Sequence, residues 1–258
     1  MRGPESRALV AAGRCLVFLA ILAGAEVGVR QGLLSPIFFS SPSQVAASFL
    51  AHLRDGSILR HTWVTLSETI LGFGAGALSG TALALLLSQL RFVARLLEPL
   101  LMVLHGSPVI VIAPLFILWL GIGMASKIGI GLYIVFFAFF VPVYAGAITQ
   151  DPELLDALRA MGAARGQLFR KVVLPSALPS IYAGLKLGIG LALVGAVIGE
   201  FIASRAGLGH MILYASGTLD TPSLYLGIAI LALFAVVLNA SVNALGRILV
   251  RWRFADEK

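Results

Sequence analysis

Residues 151–175 read DPELLDALRAMGAARGQLFRKVVLP, a polar interruption in an otherwise apolar chain, and the rest of the sequence organises around it. Asp151-Pro152-Glu153 has the form of a helix start. A carboxylate stands at the N-cap, a proline at the first helical position where a missing N–H costs nothing, and an acid in the first turn. Leu154, Leu155, Leu158 and Met161 then recur at helical spacing up to Gly162. A second amphipathic stretch, Leu168, Phe169, Val172 and Val173, runs on to Leu174-Pro175. The spacing predicts two short helices hinged at Gly162 within a connection spanning 150–179. Connections in helical bundles are usually about 2 to 8 residues long. A longer hairpin that exposes an apolar stripe is a docking surface rather than an ordinary loop.

On either side of this hairpin the chain is a membrane sequence. Of its 258 residues, 59% are hydrophobic and 12% are charged, with a mean hydropathy of +0.98. Soluble domains carry about 25% charged residues, so a soluble enzyme, a disordered chain and a disulfide scaffold are all excluded. Spanning the hydrocarbon core takes about 20 apolar residues. Six stretches qualify: 8–29, 64–88, 98–120, 128–149, 180–203 and 224–250. The expected fold is all-α, a polytopic bundle of six transmembrane helices forming one transmembrane domain over 1–258. The runs lack the period-2 alternation of a membrane β-barrel and exceed its strand length. The single cysteine, Cys15, lies in the first run and has no partner for an internal disulfide. Arg2 and Arg7 before a run containing Ala23-Gly24-Ala25 have the outline of a signal peptide. The length of the run and Arg14 within it favour an uncleaved first helix.

Basic residues set the expected orientation. With a cytoplasmic N-terminus, the inner side collects Arg2, Arg7, Arg14, Arg91, Arg95, Arg159, Arg165, Arg170, Lys171, Arg247, Arg251, Arg253 and Lys258. The outer side is left with Arg30, Arg54, Arg60, Lys127 and Arg205, so both termini are expected in the cytoplasm. The net charge of +7 follows from this asymmetry and from attraction to anionic lipid, and it does not signal nucleic acid as a partner. On the outer side, Ser40-Ser41-Pro42-Ser43 introduces Val45, Phe49, Leu50 and Leu53 at helical spacing. That pattern predicts a capped amphipathic helix at the surface. Residues 204–223, with Gly207, Gly209 and Gly217, are expected to form a loop with a re-entrant or short helical part.

Within the spans, Gly72, Gly76 and Gly80 repeat at four-residue intervals, as do Gly184 with Gly188 and Gly195 with Gly199, which marks close helix packing. Pro108 and Pro114 are expected to kink the third span, for packing or to line a pathway. A charge at mid-bilayer costs about 2.5 to 3.5 kcal/mol on insertion scales. Lys186, Glu200 and Glu68 are therefore expected to snorkel to the interfaces. His105 is a packing residue or a substrate contact. Asn239 and Asn243, four apart on one helix face, are candidates for the pathway or a dimer interface. His105, Lys186 and Glu200 join them as candidates for the same roles. His52, His61, His105 and His210 lack the spacing of a metal site, and no nucleophile–base pair suggests catalysis.

The hairpin also carries a family resemblance. Asp156-Ala157-Leu158-Arg159-Ala160-Met161-Gly162, nine residues, then Val172-Val173-Leu174-Pro175 resembles the EAA motif of ABC-importer permeases, the inner-membrane components of binding-protein-dependent transport systems. The spacing matches throughout, with Asp156 for the usual glutamate and Leu158 for the second alanine. Pro42-Ser43, residues 113–123 (APLFILWLGIG) and Glu200-Phe201-Ile202-Ala203-Ser204 with Gly207-Leu208-Gly209 are similar to the nitrate, sulfonate and taurine branch. The resemblance implies a type I importer fold working as a homodimer, with a cytoplasmic ATPase dimer and an external solute-binding protein as partners. The solute would be a small oxyanion (an aliphatic sulfonate, taurine or nitrate), with vitamin precursors carried by related permeases. ATP and Mg would sit on the partner, since this chain has no phosphate-binding loop. Asp156, Ala157, Gly162, Phe169, Val172, Leu174 and Pro175 would form the ATPase-docking loop. The competing classes remain an ion-coupled secondary transporter, which would carry its own mid-membrane coupling site, and a channel, which would need a filter.

Overall fold

The computed structural model describes residues 4–150 and 152–249. Helix α1 (Pro4–Arg30) is an outlying apolar helix. It is tied to the next helix through Glu26, whose carboxylate accepts from the Ser43 amide (3.0 Å) and hydroxyl (2.7 Å) and pairs with Arg30 (2.6 Å). Helix α2 (Pro42–Arg54) starts with a reciprocal capping box. Ser41 Oγ accepts from the Gln44 amide, and Gln44 Oε1 accepts from the Ser41 amide. This is the amphipathic helix that the sequence predicts.

Helix α3 (Ser57–Gln89) begins seven residues before the apolar run does. Asp55 supplies the start: its carboxylate accepts from the Ser57 hydroxyl (2.6 Å) and amide (2.8 Å). These bonds, the hydroxyl first, hold the exposed Asp55 carboxyl below its ordinary range. The third expected span is not one helix. Helix α4 (Arg91–Gly106) and helix α5 (Val109–Leu120) meet at a bend of 100°. Pro108 is the cause. It lacks an N–H to continue the ladder and forces Ser107 into extended backbone (φ −76°, ψ 126°). Pro114 lies within α5 without breaking it.

Helix α6 (Met124–Ile148) leads to α7 (Pro152–Ala160), the first arm of the hairpin. The Asp151 cap falls outside the described residues. The second arm differs from expectation. Helix α8 (Arg165–Leu168) passes through a wider π-helical turn (Phe169–Val173) straight into α9 (Leu174–Ile202). That turn precedes Pro175, which cannot return a hydrogen bond to the previous turn. The fifth span is thus one path over Arg165–Ile202. Helices α10 (Leu208–Gly217) and α11 (Thr221–Leu249) complete the described residues.

Among the described residues, five helices are long and apolar enough to cross a membrane, and six spans result if α4 and α5 count as one. The centre is the packing of α6 between α3 and α9. Gly72, Gly76 and Gly80 lie on the α3 face that meets α6: a methyl group at Gly76 would stand 2.7 Å from the Leu132 carbonyl oxygen. Gly195 of α9 reaches Gly131 of α6 equally closely. Phe139 fills the space left by Gly184 and Gly188. A second cluster, with Leu87, Phe137, Phe140, Val143 and Ala177, packs nearer the hairpin. Outward faces stay apolar, as at Leu78 and Leu118, where lipid is the natural solvent.

Candidate functional site

The hairpin stands at the end of the bundle where α3 finishes and α9 starts. Helix α7 ends in a Schellman turn: the Gly162 amide donates to Arg159 O (2.9 Å) and the Ala163 amide to Leu158 O (3.0 Å). Gly162 takes φ +82°, and nothing lies within 4 Å of where its Cβ would be. The glycine is therefore required by the backbone, and the space around it is open to a partner. Asp156 is exposed and pairs with Arg159 at 2.8 Å. Ala157 and Pro175 are exposed, Phe169 and Leu174 are half-buried, and Val172 is buried against the bundle. Met161, at the tip of the stripe, is 81% exposed. The seven residues expected to dock thus divide into an exposed set, Asp156, Ala157, Gly162 and Pro175, and a root at Phe169, Val172 and Leu174 that fastens the hairpin.

A cleft of about 1010 Å³ separates the hairpin from the bundle, bordered by Gln89, Arg91, Asp156, Arg159, Arg165 and Phe169. It adjoins, through Arg91 and Ile148, a second cavity of about 660 Å³ between α4 and α6. One face of α4 lines this cavity with Arg91, Arg95, Glu98 and His105, and α6 contributes Phe137, Phe140 and Tyr144. The His105 ring lies 5.1 Å from that of Phe137. His105 is thus both a packing residue and a cavity residue. Two guanidinium groups against one carboxylate make the polar wall favourable to an anion, and the opposite wall is aromatic.

The other intramembrane candidates do not converge on this cavity. Lys186 is exposed on α9 and lays its ammonium over the Tyr182 ring at 4.7 Å. Asn239 and Asn243 lie on an exposed face of α11, with Asn239 donating to Ala235 O at 2.7 Å. Glu200 and Glu68 do not snorkel. Both are buried at the far end of the bundle, together with Lys127, which belongs to α6 and not to an outer loop. Glu200 finds donors there in the Thr65 hydroxyl and the Gly209 amide. Sequence reading missed this group, yet a signal existed: His61, Thr65, Glu68 and Thr69 continue the helical face of Gly72, Gly76 and Gly80. Among the described residues no cluster of His, Cys, Asp or Glu could hold a metal ion.

Comparison with known proteins agrees with this architecture. The chain is 35% identical over 242 residues to a riboflavin transport system permease protein of Chloroflexus aurantiacus, covering 94% of this chain and 90% of that protein. It is 31% identical to the taurine transport system permease protein of Escherichia coli, covering 85% and 82%. The solved inward-facing MetNI methionine ABC transporter contains a chain of the same fold. The TM-score is 0.63 at 21% identity, over 75% of this chain and 96% of that one. The family model for binding-protein-dependent transport system inner membrane components matches residues 72–254. The chain is therefore a permease subunit and not an enzyme, and it belongs to the family of inner-membrane components of binding-protein-dependent ABC importers.

Proposed function

We propose that this permease carries a small oxyanion, an aliphatic sulfonate, taurine or nitrate, through a path shared with a second copy of itself. In this reading both termini and the hairpin face the cytoplasm, and an external binding protein delivers the solute. An ATPase pair that holds ATP and Mg docks on Asp156, Ala157 and Gly162. The observation that carries the reading is the Schellman turn at Gly162 with open space around it, projecting past a cleft that leads to Arg91 and Arg95. Anion recognition suits two guanidinium groups. The taurine relative agrees.

A second reading has its own support. Phe137, Phe140, Tyr144 and His105 form an aromatic wall on which a flat heterocycle could stack, and the Chloroflexus relative is named for riboflavin. The test is uptake into vesicles holding the assembled transporter, with taurine and riboflavin each in competition against the other. Uptake of taurine that requires ATP and falls in an Arg91→Gln, Arg95→Gln double variant supports the oxyanion reading. Uptake of riboflavin alone would replace it with the second. Uptake that survives removal of the ATPase would point to ion coupling instead.

A further inference from the structure

At the end of the bundle opposite the hairpin, α3, α6 and α9 enclose Glu68, Lys127 and Glu200, each no more than 2% exposed. Glu200 is fully engaged. One carboxylate oxygen accepts from Thr65 Oγ1 at 2.6 Å, the other from the Gly209 amide at 2.5 Å, and the His210 amide also donates to it. Thr65 Oγ1 accepts from the Leu208 amide at 2.7 Å, and His61 Nδ1 accepts from the Gly207 amide at 3.0 Å. The His61 and His210 rings stack at 6.1 Å. Four successive amides, from Gly207 to His210, are thereby fastened to α3 and α9. Gly207, at φ +117°, must be glycine, because a Cβ there would fall on the Glu200 carboxyl.

Glu68 is different. Its carboxyl lies within hydrogen-bonding reach of that of Glu200, yet its Oε2 is buried with no donor. A buried polar atom without a partner costs about 1 to 3 kcal/mol, and more where charge is involved. The charge of Lys127 acts on both carboxyls. Two ionised carboxylates and one ammonium leave a net negative charge among side chains that are no more than 2% exposed, which is costly. One bound proton corrects both faults, since it neutralises the group and supplies the missing donor between two facing acceptors. His61 and His210 are the other titratable groups facing the site, and neither offers a donor to Glu68 among the hydrogen bonds described. A metal cation fits less well. It would meet the Lys127 ammonium, and Glu200 has already spent its oxygens on Thr65 and two amides.

We propose that Glu68 and Glu200 form a proton-binding pair, in which one shared proton, balanced by Lys127, fastens the Gly207–His210 segment across the ends of α3 and α9. The proton comes from solvent and adds to a carboxylate, so the group passes from net −1 to neutral with no other bond broken. This site is independent of the solute reading, and it holds its proton as a structural ligand.

Infrared difference spectroscopy of the assembled transporter in lipid vesicles tests it. At neutral pH the wild type should show the carbonyl stretch of a protonated carboxylic acid, shifted in D2O and unchanged when sodium replaces potassium. Glu68→Gln and Glu200→Gln should each lose that band. Absence of the band in the wild type, its retention in either variant, or its removal by sodium overturns the proposal. Thermal unfolding gives a second measurement. Glu68→Gln reproduces the protonated carboxyl and should keep the wild-type midpoint at neutral pH, while Glu68→Ala should lower it. A glutamine variant as unstable as the alanine variant would also overturn the proposal.

Discussion

Gly162 allows a fold effect to be separated from a partner effect. Its φ of +82° lies in the left-handed region, where any residue with a Cβ pays about 1 to 2 kcal/mol. Alanine and tryptophan pay this equally. Apart from its two flanking residues, nothing lies within 4 Å of the Cβ position, so neither the alanine methyl nor the first carbon of a tryptophan side chain is crowded there. The Schellman bonds at 2.9 and 3.0 Å use only backbone groups and survive in both variants. Where both variants insert and fold alike, a difference between Ala and Trp in ATPase recovery arises in the docked complex. Overpacking a fitted interface costs about 1 to 3 kcal/mol, which is about 5- to 150-fold in association. The assay is purification in mild detergent from native membranes, with the co-purifying ATPase quantified by mass spectrometry and uptake measured in parallel. Wild type should bring the ATPase, Gly162→Ala somewhat less, and Gly162→Trp almost none, with all three inserted and folded. Equal recovery from wild type and Gly162→Trp refutes docking at this turn. Equal loss in Ala and Trp would show that only the backbone matters there.

Other consequences concern the bundle itself. Gly76→Val places a side chain 2.7 Å from the Leu132 carbonyl oxygen and should lower stability by about 1 to 3 kcal/mol. Gly74→Val, on an exposed face with open space, should leave the unfolding midpoint near wild type. Thr65→Val removes the donor to Glu200 and the acceptor for Leu208. At about 0.6 to 1.7 kcal/mol for each membrane hydrogen bond, hydrogen exchange at the Leu208 amide should speed up, and Thr65→Ser should restore its protection. Asp55 titrates below its unfolded value because Ser57 donates to it. Its support of the first turn of α3 is present above the ordinary carboxylate range and is lost as pH falls through the lowered value. Acidification should then lower the protection of the Ser57 amide, measured against its intrinsic exchange rate at each pH, and Asp55→Asn should abolish that loss of protection.

The sequence yields the spans because each is a long apolar run, and it yields α2 and the Gly162 turn because caps are local chemistry. The α4–α5 bend is half legible. Pro108 predicts a kink and with it an extended Ser107, but not the size of the angle, 100°. The continuity of α8 with α9 is missed because Leu174-Pro175 looks like an end, whereas a π-helical turn carries the helix past it. Lys127 is missed for another reason. Charge counting assigns it to an outer loop, and only the meeting of three helices explains why an ammonium is buried there. Pairing across 132 residues, as between Glu68 and Glu200, leaves no mark in local pattern.

The continuous path Arg165–Ile202 gives the hairpin and the Glu200 cluster a common element. At about 1.5 Å per residue its 38 residues span about 57 Å, longer than the hydrocarbon core. One end begins three residues after Gly162, at the root of the hairpin proposed to dock the ATPase, and the other ends two residues past the carboxylate that holds residues 207–210. A helix packed along α6 moves as a body, so displacement at the hairpin has to be accommodated where α9 is fastened to α3 and α10. Pinning that end should therefore uncouple the two. Thr65 Oγ1 is 2.7 Å from the Leu208 amide, so the two residues are close neighbours, and cysteines at these positions can be joined by a short, reducible thiol cross-linker once Cys15 has been replaced. Cross-linking should stop uptake while ATP hydrolysis continues, and reduction should restore uptake. Transport at the reduced rate while the bridge is intact would show that this end of α9 stays still during the cycle.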